Sequence, residues 1–192
     1  MKMEQPPGSG DSMNRQLGQF DARDIQSDAF KSVMCNVAGA VSIVTASHAG
    51  LRAGLTATSL TALSAEPPTV IVCVNRAASA WPTIEAAGHF AINVLAARHQ
   101  SIADRFAGRG GHKGEARFGE GDWGRLVTGA PTLDGALAVL DCETEEAIER
   151  HSHTILIGRI RALRHAHDEG ALLYWRGVYG KLDEPLQYGA GI

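Results

Sequence analysis

The chain has 192 residues, 44% of them apolar and 20% charged, with a formal net charge of -3. That length suits one domain with a substantial core, and the composition is that of a soluble globular protein rather than a disordered or fibrous one. The charge balance gives no hold on nucleic acid, and no apolar run approaches the roughly 20 residues needed to cross a bilayer, so neither nucleic acid nor membrane is an expected partner.

Residues 1 to 26, beginning MKMEQPPGSGDSMNRQ, are rich in Gly, Pro, Gln, Ser and Asp. Such a segment buries too little apolar surface to order itself and reads as a flexible leader that could dock on a partner subunit. It has no apolar stretch behind Lys2, so it is not a secretory signal, and a cytoplasmic address is expected. The domain is expected over 27–183, with a short tail over 184–192. Phe30, Val33 and Met34 recur at helical spacing, which predicts a short helix capped by Ser27 or Asp28.

Strands follow. GAVSIVTAS (39–47) and LRAGLTATSL (51–60) flank the turn at His48-Ala49-Gly50 and read as a hairpin. TALSAEPP is a short strand ended by Pro67-Pro68. TVIVCVN (69–75) is a nearly continuous apolar run, as in a strand covered on both faces. SAWPTIEAAG (79–88) reads as a helix with Pro82 in its first turn and Gly88 at its end. HFAINVLA (89–96) is a strand and RHQSIADRFAG (98–108) a helix. Residues 109–130 form a long Gly-rich loop. GALAVLDCETEEAIE (135–149), HTILIGRIRALRHA (153–166) and ALLYWRGVYGKL (171–182) are mostly β. Many strands, few helices and no regular β-α-β alternation predict a mainly β fold, a β-barrel with short accessory helices.

The three cysteines, Cys35, Cys73 and Cys142, are odd in number and form no CxxC, which argues against a disulfide framework or a zinc ribbon. Cys73 and Cys142 read as buried small hydrophobes. There is no G-x-G-x-x-G after a strand, no Walker A, no H-E-x-x-H and no G-x-S-x-G. The segment from Arg52 through Gly54 to Thr56-Ala57-Thr58-Ser59 puts small and hydroxylated residues on one strand. Small side chains let a flat ring approach the backbone, and hydroxyls bond its polar edge; the alternative is a small-residue barrel strand with surface threonines. Asn75-Arg76-Ala77-Ala78-Ser79 ends a strand and opens a helix, where Arg76 and Ser79 could meet a phosphate; the alternative is a capped surface turn. Trp81 reads as core or dimer interface. His151 and His153 open a strand on one face, but no further ligand has suitable spacing, so no metal is expected. His165 and His167 read as surface residues, and Glu143, Glu145, Glu146 and Glu149 as a solvated face.

Taken in order, GAVSIVTAS, GLTATSL, EPPTVIVCVNRAAS, HFAINVLA with RFAG, GAPTLDGALAVLDCE and SHTILIGRI resemble the flavin reductase family of split-barrel flavoproteins. These are reductase components of two-component flavin monooxygenases, and NRAASAWP is nearest to the pyrimidine-degradation and aromatic-hydroxylation types. The resemblance implies an FMN-binding split β-barrel and a homodimer with flavin near the subunit interface. The implied activity is hydride transfer from NADH or NADPH to FMN or FAD, supplying reduced flavin to a partner monooxygenase by diffusion. A corrin reductase on the same fold and a non-catalytic flavin carrier stay open as alternatives. Thr56, Ala57, Thr58 and Ser59 match the segment lining the flavin ring, within a cofactor-binding stretch that includes Arg52 and Gly54. Asn75, Arg76 and Ser79 match the phosphate-side turn. Asn93 lies in the F-x-x-N-x-L segment, Phe106 is expected to close over the flavin, and Tyr179 matches an aromatic of the last strand. His153 matches the His of a G-[DT]-H signature on the nicotinamide side, with His151 standing where Gly is usual.

Overall fold

The computed structural model describes residues 25–166 and 170–183. The expected leader up to residue 24, His167 and the tail from 184 lie outside the described residues. Contacts divide the chain into a unit ending at Met34 and a second running from Cys35. The first contains α1 (Ser27–Met34), whose first backbone bond runs from Phe30 N–H to the Gln26 carbonyl, so the helix begins one residue before the expected cap. Lys31 and Asp28 form an ion pair along it at 3.2 Å. Among the described residues no helix is long and apolar enough to cross a membrane.

The second unit is mainly β. Its strands are β1 (Gly39–Ala40), β2 (Ser42–His48), β3 (Leu51–Ala57), β4 (Thr61–Ala65), β5 (Pro68–Asn75), β6 (His89–Val94), β7 (Trp123–Arg125), β8 (Pro131–Leu133), β9 (Ala138–Arg150), β10 (His153–His165), β11 (Ala171–Trp175) and β12 (Val178–Leu182). Two short helices, α2 (Trp81–Ala87) and α3 (Gln100–Phe106), complete the regular elements beside three short 3-10 turns. Seven strands form an antiparallel sheet in the order β3-β2-β6-β9-β10-β5-β4. A three-stranded sheet, β1-β11-β12, and the β7-β8 pair complete the set. The segment over 171–182, expected to be mostly β, is a hairpin that turns at Arg176 (φ 50°) and Gly177 (φ 83°). The short helix α2 carries proline in its first turn and ends at Gly88 in the left-handed region, as the sequence predicts.

β2 is buried on both faces. Val44 and Ala46 point into a core shared with Val72, Val74, Trp81, Ile84, Phe90 and Leu156, while Val41 and Ile43 point into a second core with Leu95, Phe106, Leu133 and Val139. Trp81 is thus core. Gly158 lies against Phe90: a Cβ there would sit 2.5 Å from the ring, which only glycine avoids. The β9–β10 hairpin contains two register shifts, at Glu145 on one strand and Arg161 on the other. Each bulge reverses which residues face a given side. Its outer half carries the four glutamates, exposed as expected, with Arg161–Glu143, Arg159–Glu145 and Arg76–Glu149 ion pairs.

The main sheet has two free edges, β3 and β4. Past β3 the chain meets β5 again: the Ser59 hydroxyl donates to the Cys73 carbonyl and accepts from the Cys73 N–H, both at 3.1 Å. This stitch sits beyond Thr61–Ile71, the last β4–β5 pair on that side. The sheet is a barrel with a split here, and the split opens into a cavity.

Candidate active site

The cavity has a volume of about 390 Å³ and is lined by Val41, Leu55, Thr56, Ala57, Thr58, Ser59, Cys73, Asn75, Ala107, Arg109, His153, Tyr174 and Tyr179. That volume lies within the range of small-ligand and cofactor sites. Of the residues expected at the site, Thr56, Ala57, Thr58, Ser59, Asn75, His153 and Tyr179 come together here. Thr56 donates its hydroxyl to the Ala103 carbonyl at 2.7 Å, leaving lone pairs only for a ligand donor. Beyond the last β2–β3 pair, Ser42–Ala57, the N–H groups of Thr58 and Ser59 make no backbone hydrogen bond among the described residues. They are donors available to an acceptor in the cavity.

β5 explains another part of the wall. Val70, Val72 and Val74 face the core, and Ile71, Cys73 and Asn75 face the other way, so only one face of the strand is fully buried, and Cys73 and Asn75 on the other line the cavity. The expectation of a strand buried on both sides fails because alternation is hidden when both faces carry apolar residues. The Asn75 side-chain carbonyl caps Ala77 N–H at 2.9 Å, leaving its amide to the cavity. His153 pairs with Asn75 across β5 and β10, and Ser152 Oγ lies 2.9 Å from its Nδ1.

The other expected residues are elsewhere. Arg52 is paired with Glu115 and stacked 4.5 Å from the Phe118 ring centroid. The pairing holds the Glu115 carboxyl below its usual range. Gly54 is buried beneath Phe106, whose ring would lie 2.8 Å from a Cβ, and it serves core packing. Phe106 is fully buried and stands edge-on to Phe118 at 4.9 Å; it does not close over the cavity. Asn93 is fully buried: its amide donates to the Ile43 carbonyl at 3.1 Å and to Thr45 Oγ1 at 3.2 Å, and its carbonyl accepts from Leu133 N–H at 2.7 Å. It ties β8 to the sheet. Ser79 is exposed and outside the lining.

Arg76 is also outside the lining. It pairs with Glu149, its Nη2 donates to the His151 carbonyl at 2.6 Å, and its N–H bonds the Ser152 carbonyl at 2.9 Å. These ties hold the two-residue turn in which His151 takes φ 50°. Glycine adopts that conformation freely and most other residues do not, which accounts for the Gly expected there. His151 is therefore in the turn rather than on a strand face beside His153, and the two do not converge. Among the described residues no group of three or more His, Cys, Asp or Glu side chains is placed to hold a metal.

Residues not anticipated are Val41, Leu55, Cys73, Ala107, Arg109 and Tyr174. Arg109 follows the RFAG segment, directly in the glycine-rich loop, which is pinned to β3 by Arg117 Nη1 donating to the Gly54 carbonyl at 2.8 Å. Tyr174 and Tyr179 stand edge-to-face at 5.3 Å. Burial and the neighbouring Asp104 push the Tyr179 hydroxyl's pKa up, against a smaller opposing effect of Arg109. Cys73 is half-buried rather than core, whereas Cys142 is fully buried, its thiol pushed up to about 12 by burial and by Asp141. A thiol reagent at neutral pH is expected to label exposed Cys35 first, Cys73 more slowly and Cys142 only on unfolding. Mass spectrometry of quenched samples checks the order, and early labelling of Cys142 would contradict it.

Residues 34–183 match the family described as flavin reductase like domain. The chain is 41% identical over 165 residues to an FMN reductase (NADH), RutF 2, of Methylorubrum extorquens strain PA1, covering 86% of this chain and 95% of that one. It is 35% identical over 161 residues to FMN reductase (NADH) RutF of Cronobacter sakazakii, covering 84% and 96%. Among solved structures it resembles BorF, the flavin reductase component of a bacterial two-component tryptophan halogenase, with TM-score 0.76 and 30% identity over 83% of this chain and 100% of that one. It also resembles the NADH:FAD oxidoreductase SgcE6 of Streptomyces globisporus C-1027, solved with NAD and FAD fragments, with TM-score 0.77 and 26% identity over 88% and 99%. A barrel split beside a Thr-Ala-Thr-Ser wall, together with a family match spanning most of the sequence, identifies this chain as a member of the flavin reductase-like family.

Proposed function

We propose that the protein is an NADH-dependent flavin reductase that takes FMN and releases it reduced to a partner monooxygenase. The observation that carries this reading is the cavity itself. Its wall of small and hydroxylated residues, Thr56 to Ser59, ends in unpaired backbone donors, and two tyrosines face it. This donor set fits a flat heterocycle with a polar edge. The bound flavin supplies the chemistry, its N5 accepting hydride from nicotinamide C4. The N–H groups of Thr58 and Ser59 are suited to the N1–C2=O edge, where negative charge grows on reduction. Thr56, its own proton committed, accepts from a ring N–H. In the tautomer whose Nδ1 accepts from the Ser152 hydroxyl, His153 presents Nε2–H as a donor that orients the nicotinamide amide or the flavin. The two halves of the site come from strands locked into one sheet, which favours pre-organised stacking of two rings. FAD and NADPH are further substrates to be compared, and a homodimer in the cytoplasm belongs to the same reading.

Anaerobic mixing of the FMN-loaded protein with NADH is expected to bleach the flavin's visible absorbance; an oxidised spectrum that persists with both NADH and NADPH rejects the proposal. Within it, Arg76 holds the turn that carries His153. Arg76→Ala is expected to raise KM for NADH about fivefold, a loss of about 1 kcal/mol, and to change FMN affinity less than about twofold. Steady-state kinetics beside a fluorescence titration check this, and an FMN affinity that collapses while KM for NADH holds would restore Arg76 to the phosphate.

A further inference from the structure

We infer that Arg109 is the receptor for a nucleotide phosphate at this site, an inference that rests on the flavin reductase reading above. Every nucleotide substrate of such an enzyme brings at least one phosphate, and a phosphate against a protein wall needs cationic or N–H donors to replace water. The lining of the cavity carries one formal charge among the described residues, Arg109. The two other arginines that the sequence puts forward lie outside that lining, Arg52 against Glu115 and the Phe118 ring, Arg76 against Glu149 and the His151 carbonyl.

Arg109 is held ready. Its Nη1 donates to Asp104 at 2.9 Å, and its guanidinium lies over the Tyr179 ring, 5.4 Å from the centroid. Its side chain remains 54% exposed, so it sits at the rim and not under the ring-binding wall. A guanidinium fixed by one carboxylate and one aromatic face still has donors for an oxyanion and loses little freedom on binding it. A rim position suits the flexible, hydrated end of a nucleotide, with the flat ring deeper, against Ala57 and Cys73.

The phosphate belongs to the flavin or to the nicotinamide nucleotide, and two pairs of probes separate these sources. Flavin fluorescence titrations compare FMN with riboflavin. Steady-state assays compare NADH with N-benzyl-dihydronicotinamide, a hydride donor without phosphate. The wild type, Arg109→Ala and Arg109→Lys are measured, with thermal melts to show that the variants fold. Arg109→Ala is expected to weaken FMN, or to raise KM for NADH, about tenfold or more while leaving the phosphate-free member of that pair within about twofold; Arg109→Lys recovers most of the loss. A loss in the FMN pair assigns the flavin phosphate, and a loss in the NADH pair assigns the dinucleotide. Equal losses within both pairs, or none, overturn the inference. A wild-type protein that binds neither flavin overturns the functional reading, and the inference with it.

Discussion

Asn93→Ala is expected to destabilise the fold by about 3 kcal/mol while leaving the flavin affinity of the folded protein unchanged. The side chain has no exposure to solvent, and its amide and carbonyl are both bonded within the core. Truncation leaves the Leu133 N–H buried without its acceptor and takes the side-chain donor from the Ile43 carbonyl, where no water reaches. It also removes the amide that Thr45 Oγ1 accepts from, while Thr45 goes on donating to the Pro131 carbonyl at 2.5 Å. The first loss falls on Leu133 of β8, the others on Ile43 and Thr45 of the neighbouring β2. A urea melt gives the change in stability, and an FMN titration well below the transition gives the affinity. Near-native stability with lost FMN binding would make Asn93 a ligand and contradict its place in the structure.

Cys73→Trp is expected to weaken FMN binding by about a hundredfold or more, because the indole occupies the space the ring needs. Cys73 lines the cavity from the uncovered face of β5, so the larger side chain has room there and does not push into the valine face. The Ser59 bonds go to the Cys73 backbone and survive the change. Cys73→Ala, which empties the position, is expected to bind within about threefold of the wild type. Flavin fluorescence measures all three proteins, and thermal melts show that they are folded. Wild-type affinity in the tryptophan variant would mean that the flavin binds somewhere other than this cavity.

The sequence was most informative where local chemistry alone decides the outcome. Pro82 and Gly88 bracket α2, the Thr-Ala-Thr-Ser run forms the wall, and the motif order pointed to the split barrel. Misplaced residues share a cause: a residue type compatible with a ligand was compatible with the core as well. Asn93 and Phe106 sit in motifs of the family, yet a buried amide bonding three backbone or hydroxyl groups and a ring under Gly54 become visible only once β8 and β3 are in place. Arg52 and Arg76 found carboxylates 63 and 73 residues away, which spacing cannot reveal. Bulges add a second limit. His153 and His165 are an even number of residues apart on one strand, which unbroken alternation would put on one face. The register shift at Arg161 breaks that alternation. Arg109 had no local signature at all, since its place depends on a loop held from outside by Arg117.

The Ser59 stitch bears on what the split in the barrel leaves open to another strand. At Cys73 a β5 N–H and carbonyl face the split, past the end of the neighbouring strand, where another molecule could add a strand of its own. One hydroxyl occupies both groups. The barrel can therefore keep an opening beside this stretch of β5, wide enough for a guest, without offering the Cys73 groups as a template for another strand.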